Sequence, residues 1–163
     1  MGKPETEVPS GTADLVLVTN SNIDEMRKFA DQLFEAHYEE IALHKGSMKL
    51  DPNWHRYYVL EEQDAVVCLA AWLGEEMVGY SVSILYEHMH YKDVLVMHND
   101  VLFVKKEHRR GGLGIKLIEA TEEMAKAREC HVVLFHSKVD TPLGLILEAR
   151  GYGVQDVMQS KVL

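Results

Sequence analysis

Cysteine is scarce: the chain has two, Cys68 and Cys130, each inside an apolar segment and neither in a metal-binding spacing. A disulfide framework is therefore excluded, and two buried thiols in a reducing compartment are expected, with the cytoplasm as default. Long apolar runs are absent as well. No stretch approaches the roughly 18 residues of a membrane-spanning helix, and the polar opening MGKPETEVPSGTAD has no signal-peptide core. Positive charge is in deficit, with 17 Lys and Arg against 26 Asp and Glu and a formal net charge of −9. That balance disfavours nucleic acid or an anionic membrane as a partner. A length of 163 residues suits one core and is short for two, so residues 14–163 are expected to form a single domain behind a loose arm, 1–13.

The charge deficit has one local exception. Lys105, Lys106, Arg109, Arg110 and Lys116 crowd into one short stretch between the apolar run Val101 to Val104 and a patterned segment from Leu113 onward. In that segment Leu113, Leu117, Ala120, Met124 and Ala127 recur every three to four residues, broadened by Ile118 and Ala125. The spacing predicts a helix with one buried stripe. Gly111, Gly112 and Gly114 then lie at its N-terminus, where the first amides lack intrahelical partners and the dipole is positive. Arg109 and Arg110 add two forked donors, so a polyphosphate would be held there. A solvated charged loop would explain the same basic residues without a ligand. Dinucleotide folds, P-loop enzymes and plain structural turns also use glycine-rich strand-to-helix turns. Neither G-x-x-x-x-G-K followed by Ser or Thr, nor G-x-G-x-x-G, is present.

What stands instead is Arg109-x-x-Gly112-x-Gly114, with Val104 five residues before the arginine. This resembles the acyl-CoA signature of the GNAT acetyltransferase superfamily: Arg or Gln, two residues, Gly, one residue, then Gly or Ala. Leu-Glu-Ala-Arg-Gly-Tyr at 147 to 152 also looks like that family's closing motif, a helix ending in Gly followed by an aromatic residue.

The remaining elements fall in the same order. Leu15 to Thr19 reads as a strand, and Asn20 or Asn22 can cap a helix from Ile23 to about His37 with Ile23, Met26, Ala30, Leu33 and Phe34 inward. From Gly46 through Asp51-Pro52-Asn53 the chain reads as irregular, carrying Trp54, Tyr57 and Tyr58. Strands Ala65 to Leu73 and Met77 to about Glu87 flank the hairpin signal Gly74-Glu75-Glu76, and a turn at His88 to Asp93 leads into a strand from Val94 to Val104. After the helix Gly112 to Arg128, His131 to Ser137 should run parallel to the strand before it, closing one βαβ unit. Asp140 or Thr141 can cap a helix with Pro142 in its first turn and Gly151 past its end, and Tyr152 to Leu163 is expected to form a last strand pair. The expected fold class is α/β (α+β): a mixed, mostly antiparallel sheet flanked by helices, with one central βαβ unit for acyl-CoA.

The resemblance implies acetyl-CoA as cosubstrate, main-chain bonds from Leu102 and Val104 to its pantetheine arm with Phe103 between them, and Arg109, Arg110, Gly111, Gly112, Leu113 and Gly114 around the pyrophosphate. The thioester then falls near His98 and Asp100. Independently, His98, Asn99 and Asp100 interrupt an apolar strand, and burying one unpaired polar group costs about 1–3 kcal/mol. Strand alternation places His98 and Asp100 on the face of Leu102 and Val104. Attack on a thioester needs a neutral amine, and histidine is suited to take its proton. A histidine satisfied within the sheet explains the same residue. His88, His90 and His98 lack a metal motif, so no metal is expected. His136 could face cofactor or core. Where many members of the superfamily carry a tyrosine that protonates the leaving thiolate, this chain has Leu147. The expected function is transfer of an acetyl group directly to a primary amine, on a small molecule or a peptide; the alternative is a non-catalytic acyl-CoA-binding or regulatory module. A homodimer stays open.

Overall fold

In the computed structural model, residues 17–29, 31–139 and 141–163 are described, and they carry five strands and five α-helices. The arm 1–13, the start of the first strand, Ala30 and the alternative cap Asp140 lie outside the described residues. In chain order the elements are β1 (Leu17–Ser21), α1 (Ile23–Phe29), α2 (Asp31–Ile41), α3 (Trp54–Glu62), β2 (Val66–Leu73), β3 (Glu76–Glu87), β4 (Leu95–Val104), α4 (Leu113–Ala127), β5 (Val132–Phe135) and α5 (Pro142–Ala149). The strands lie in the sheet in the order β1-β2-β3-β4-β5, with β4 and β5 parallel and the other neighbours antiparallel. Among these pairs, only the parallel one needs a crossover, and α4 supplies it.

One face of the sheet packs under the first helices, through Ile23, Met26, Leu33, Ala70, Tyr80 and Phe103. The other packs under α4, where Leu113, Leu117 and Ala125 meet Val67, Leu69, Val78 and Met97. Leu117 and Ile118 are fully buried, each worth roughly 1.5–3 kcal/mol of transfer free energy. Gly79 allows β3 to close on β4, because a Cβ there would stand 2.9 Å from the Phe103 carbonyl oxygen.

Several expectations are corrected. The helix expected from Ile23 to about His37 is described as α1 and α2 on either side of Ala30, and α2 runs on to Ile41. The stretch read as irregular contains α3, begun by Asn53, whose side chain accepts the Arg56 amide at 3.1 Å. Cys68 is buried as expected, whereas Cys130 is only partly so. Residues 153–163 form no strand pair; Val154, Val157 and Met158 are more than three-quarters exposed, because the interspersed Gln, Asp, Ser and Lys leave no apolar face to bury.

The consequential correction lies inside β4. Val82 on β3 faces Val101, but Ser83 faces Asn99, so Asp100 is an extra residue in a β-bulge. The bulge inverts the alternation. Leu95 and Met97 point toward α4 before it, and Leu102 and Val104 do so after it. His98 therefore lies on the face opposite Leu102 and Val104, beside Tyr86, rather than sharing their face. Asn99 secures the kink from within: its Nδ2 donates to Ser81 Oγ at 2.8 Å and to Val82 O, Ser83 Oγ and Val101 O at 3.2 Å.

Candidate active site

Pairing between β4 and β5 runs from Val96–Val132 to Asn99–Phe135 and stops, while β4 continues to Val104. Beyond the bulge β4 is bonded to β3 alone. Lys105 N–H donates to Val78 O at 2.9 Å, and antiparallel pairing alternates, so Phe103 turns its backbone polar groups toward β3. Leu102 and Val104 turn theirs away from β3, toward the side that β5 has left. These are the two residues expected to bond a cofactor through their main chain. Phe103 contributes a side chain to the core instead.

The chain leaves β4 through a single 3₁₀ turn, Lys106–His108, and enters α4 at Gly112. Gly112 has φ 81° and Gly111 φ 121°, conformations that glycine adopts without a steric penalty. A Cβ at Gly111, Gly112 or Gly114 would meet nothing within 4 Å, so open space lies over the turn. The first intrahelical bond is Lys116 N–H to Gly112 O, at 3.0 Å, which leaves the preceding amides without an acceptor inside the helix. Leu113 buries its side chain under the helix, so only its backbone can face a ligand. Arg110 is exposed beside the turn.

Arg109 is not a loose donor. Its two terminal nitrogens donate to Glu40 Oε1 and Oε2 on α2, each at 2.6 Å, and its Nε donates to Val104 O at 2.9 Å. The fork expected to grip a phosphate is thus occupied by a carboxylate, which holds the guanidinium charged and is itself held below the usual carboxylate range.

At the bulge, polar groups gather on the face opposite α4. His98 and His136, just past the end of β5, share a hydrogen bond of 2.9 Å between Nε2 atoms. Burial lowers the His98 pKa and His136 lowers it further, while Asp100 opposes both. Asp100 itself is exposed. Burial raises the Tyr57 and Tyr80 hydroxyl pKa values, and the Asp100 carboxylate adds to this. Tyr80 Oη bonds His37 Nδ1 at 2.9 Å, and the His37 ring stacks on Phe103 with centroids 4.8 Å apart. Burial pushes His37 down to about 4.

His98 and Asp100 thus stand near one another, and the glycine turn lies at the far end of the same strand. Sequence reasoning missed His37, Glu40 and Tyr80 and left His136 undecided. The spacing of His37 and Glu40, one helical turn apart on α2, was the only available signal. His88 and His90 lie in the β3–β4 turn, where His88 Nδ1 accepts the His90 amide at 3.1 Å. In the closing motif, Arg150 pairs with Glu119 and Glu122 at 3.0 Å and Tyr152 Oη donates to Glu122 at 3.1 Å, docking α5 on α4.

Known structures with the same architecture include acetyltransferases. An aminoglycoside acetyltransferase from an uncultured soil metagenomic sample superposes with a TM-score of 0.71 at 20% identity, over 91% of this chain and 98% of that one. A ribosomal-protein-alanine N-acetyltransferase from Brucella melitensis biovar Abortus 2308 gives 0.65 at 16%, covering 91% and 98%. Glucosamine-6-phosphate N-acetyltransferase from Arabidopsis thaliana gives 0.67 at 14%, again over 91% and 98%. Such identities establish the fold alone. No curated protein matches the sequence. The model of the acetyltransferase (GNAT) family matches residues 25–143, which span the first helices, the bulged strand, the glycine turn and β5. The chain belongs to the GNAT acetyltransferase family.

Proposed function

We propose that this chain is an N-acetyltransferase that uses acetyl-CoA and transfers the acetyl group directly to a primary amine. The observation that carries the reading is the end of the β4–β5 pairing at Asn99–Phe135, which among the described residues leaves β4 without a partner on that side up to Val104, with the open glycine turn at one end and the His98–His136 pair at the other. The outward main chain of Leu102 and Val104 would hold the pantetheine arm as an added strand, although the Val104 carbonyl already accepts from Arg109. The amides of Gly112, Leu113 and Gly114 would hold the pyrophosphate, with the exposed Arg110 beside them. When bound, the cosubstrate supplies an acyl carbon activated as a thioester.

On the acceptor side His98 is the base. It takes the proton of the ammonium, the neutral amine forms its bond to the acyl carbon, and the carbon–sulfur bond breaks as the attacking nitrogen gives its second proton to water. His136 orients the ring, and Asp100 is placed to attract the acceptor's positive charge. The thiolate takes its proton from water, since Leu147 is 6% exposed and has none to give. That residue favours the second reading, a module that binds acyl-CoA without efficient turnover. Nothing in the site selects one amine, and the aminoglycoside and ribosomal-protein-alanine acetyltransferases that share the fold differ widely in acceptor. Among the described residues no helix is long and apolar enough to cross a membrane. An acceptor screen that follows release of free thiol tests the proposal: thiol release dependent on an amine supports it, and tight acetyl-CoA binding without release with any amine leaves the binding module.

A further inference from the structure

Glu40 and Arg109 make a contact that neither an acyl-CoA signature nor a catalytic site requires. Arg109 is the first residue of the signature, yet its guanidinium is held by both carboxylate oxygens of Glu40 and by the carbonyl of Val104. The Phe103 ring packs against Arg109 and against the helix that carries Glu40: the guanidinium carbon is 5.5 Å from its centroid, and His37, three residues before Glu40, stacks on it at 4.8 Å. One side chain therefore joins the end of β4, the start of the turn and the last part of α2. The three bonds have fixed directions, because a planar guanidinium can satisfy them in only one orientation.

We propose that Glu40 is a positioning residue for the cofactor turn: by holding Arg109 against Val104 it sets the conformation of residues 109–114 and ties that turn to α2. The proposal rests on the reading that the turn holds the phosphates of acetyl-CoA. The pair is about 40% exposed on each side, with side-chain exposures of 38% and 42%, so it is a weak contributor to global stability and a strong determinant of local geometry. Removing it should loosen the turn while the fold persists.

The test compares Glu40→Gln, Arg109→Gln and the double variant with Glu39→Gln as control, since Glu39, its neighbour on α2, pairs instead with Lys45 beyond the end of that helix. In the unliganded proteins, hydrogen exchange at the amides of Lys116, Leu117 and Ile118 reports how firmly the turn anchors α4. Faster exchange there in Glu40→Gln and Arg109→Gln, with no change in Glu39→Gln, is expected. Titration with acetyl-CoA should show roughly five- to tenfold weaker binding for either single variant and no further loss in the double, as for two ends of one coupling. Unchanged exchange and unchanged affinity in folded Glu40→Gln would overturn the proposal, as would strictly additive losses. Faster exchange with a wild-type protein that binds no acetyl-CoA would uphold the clamp and sink the cofactor reading instead.

Discussion

The Nε2 atoms of His98 and His136 stand 2.9 Å apart, so one ring donates and the other accepts, and a second proton on the pair meets repulsion. Burial first, and then His136, lower the His98 pKa from its ordinary value, which favours the unprotonated base. His98→Ala should lower kcat/KM by roughly 10²–10⁴-fold with acetyl-CoA affinity preserved, and the loss should shrink at high pH, where the amine is already neutral. His136→Ala removes the neighbour that lowers the His98 pKa, so the acid limb of the kcat/KM profile should move to higher pH. Normal turnover by His98→Ala across the pH range would remove it from the role.

Gly112 offers a charge test at constant backbone strain. Asn and Asp tolerate its φ of 81° about equally, but only Asp brings an anion to the proposed phosphate site. Acetyl-CoA binding, followed by calorimetry, should vanish in Gly112→Asp and fall much less in Gly112→Asn, with similar melting temperatures. Equal affinities in the two would put the phosphates elsewhere.

His37 should make the fold acid-sensitive. Its pKa is about 4 when folded against an ordinary 6.5, so as pH falls through that window the unfolded chain takes up the proton first and stability declines. The full shift corresponds to at most about 3 kcal/mol, and solvent at the ring's exposed edge reduces it. The stability is present above pH 6.5 and lost by pH 4. Urea unfolding at the two ends of the window should show a smaller loss for His37→Gln than for the wild type; equal losses would assign the effect to other groups.

Leu147 is packing. Leu147→Ala should cost about 2–5 kcal/mol in unfolding free energy and leave the pH profile of any activity in place. A shifted profile would mean that this position influences the proton transfers after all.

What was legible in the sequence was whatever depends on neighbours within one or two turns. The α4 stripe, the Asn22 cap that accepts the Glu25 amide at 2.8 Å, and Gly151 with its φ of 90° all follow from local rules. The site was legible only as residue types. Glu40 lies 69 residues from Arg109 and His136 lies 38 from His98, so their pairing is decided by the sheet that brings them together. The α3 helix was hidden behind the Asp51-Pro52-Asn53 breaker, whose asparagine proved to start a helix rather than merely end one.

The bulge gives β4 a chain length as well as a sequence. Val101 to Val104 sit in their present orientation because one residue has been inserted ahead of them, so deleting Asp100 would turn that segment over: Phe103 toward α4, Leu102 and Val104 toward the first helices. Substitutions at Asp100 can leave the geometry standing, whereas losing the position cannot. For this strand a gap of one residue in an alignment is therefore a larger event than any replacement at the same place, and spacing from Asn99 to Val104 is the property to preserve when grafting or shuffling the site.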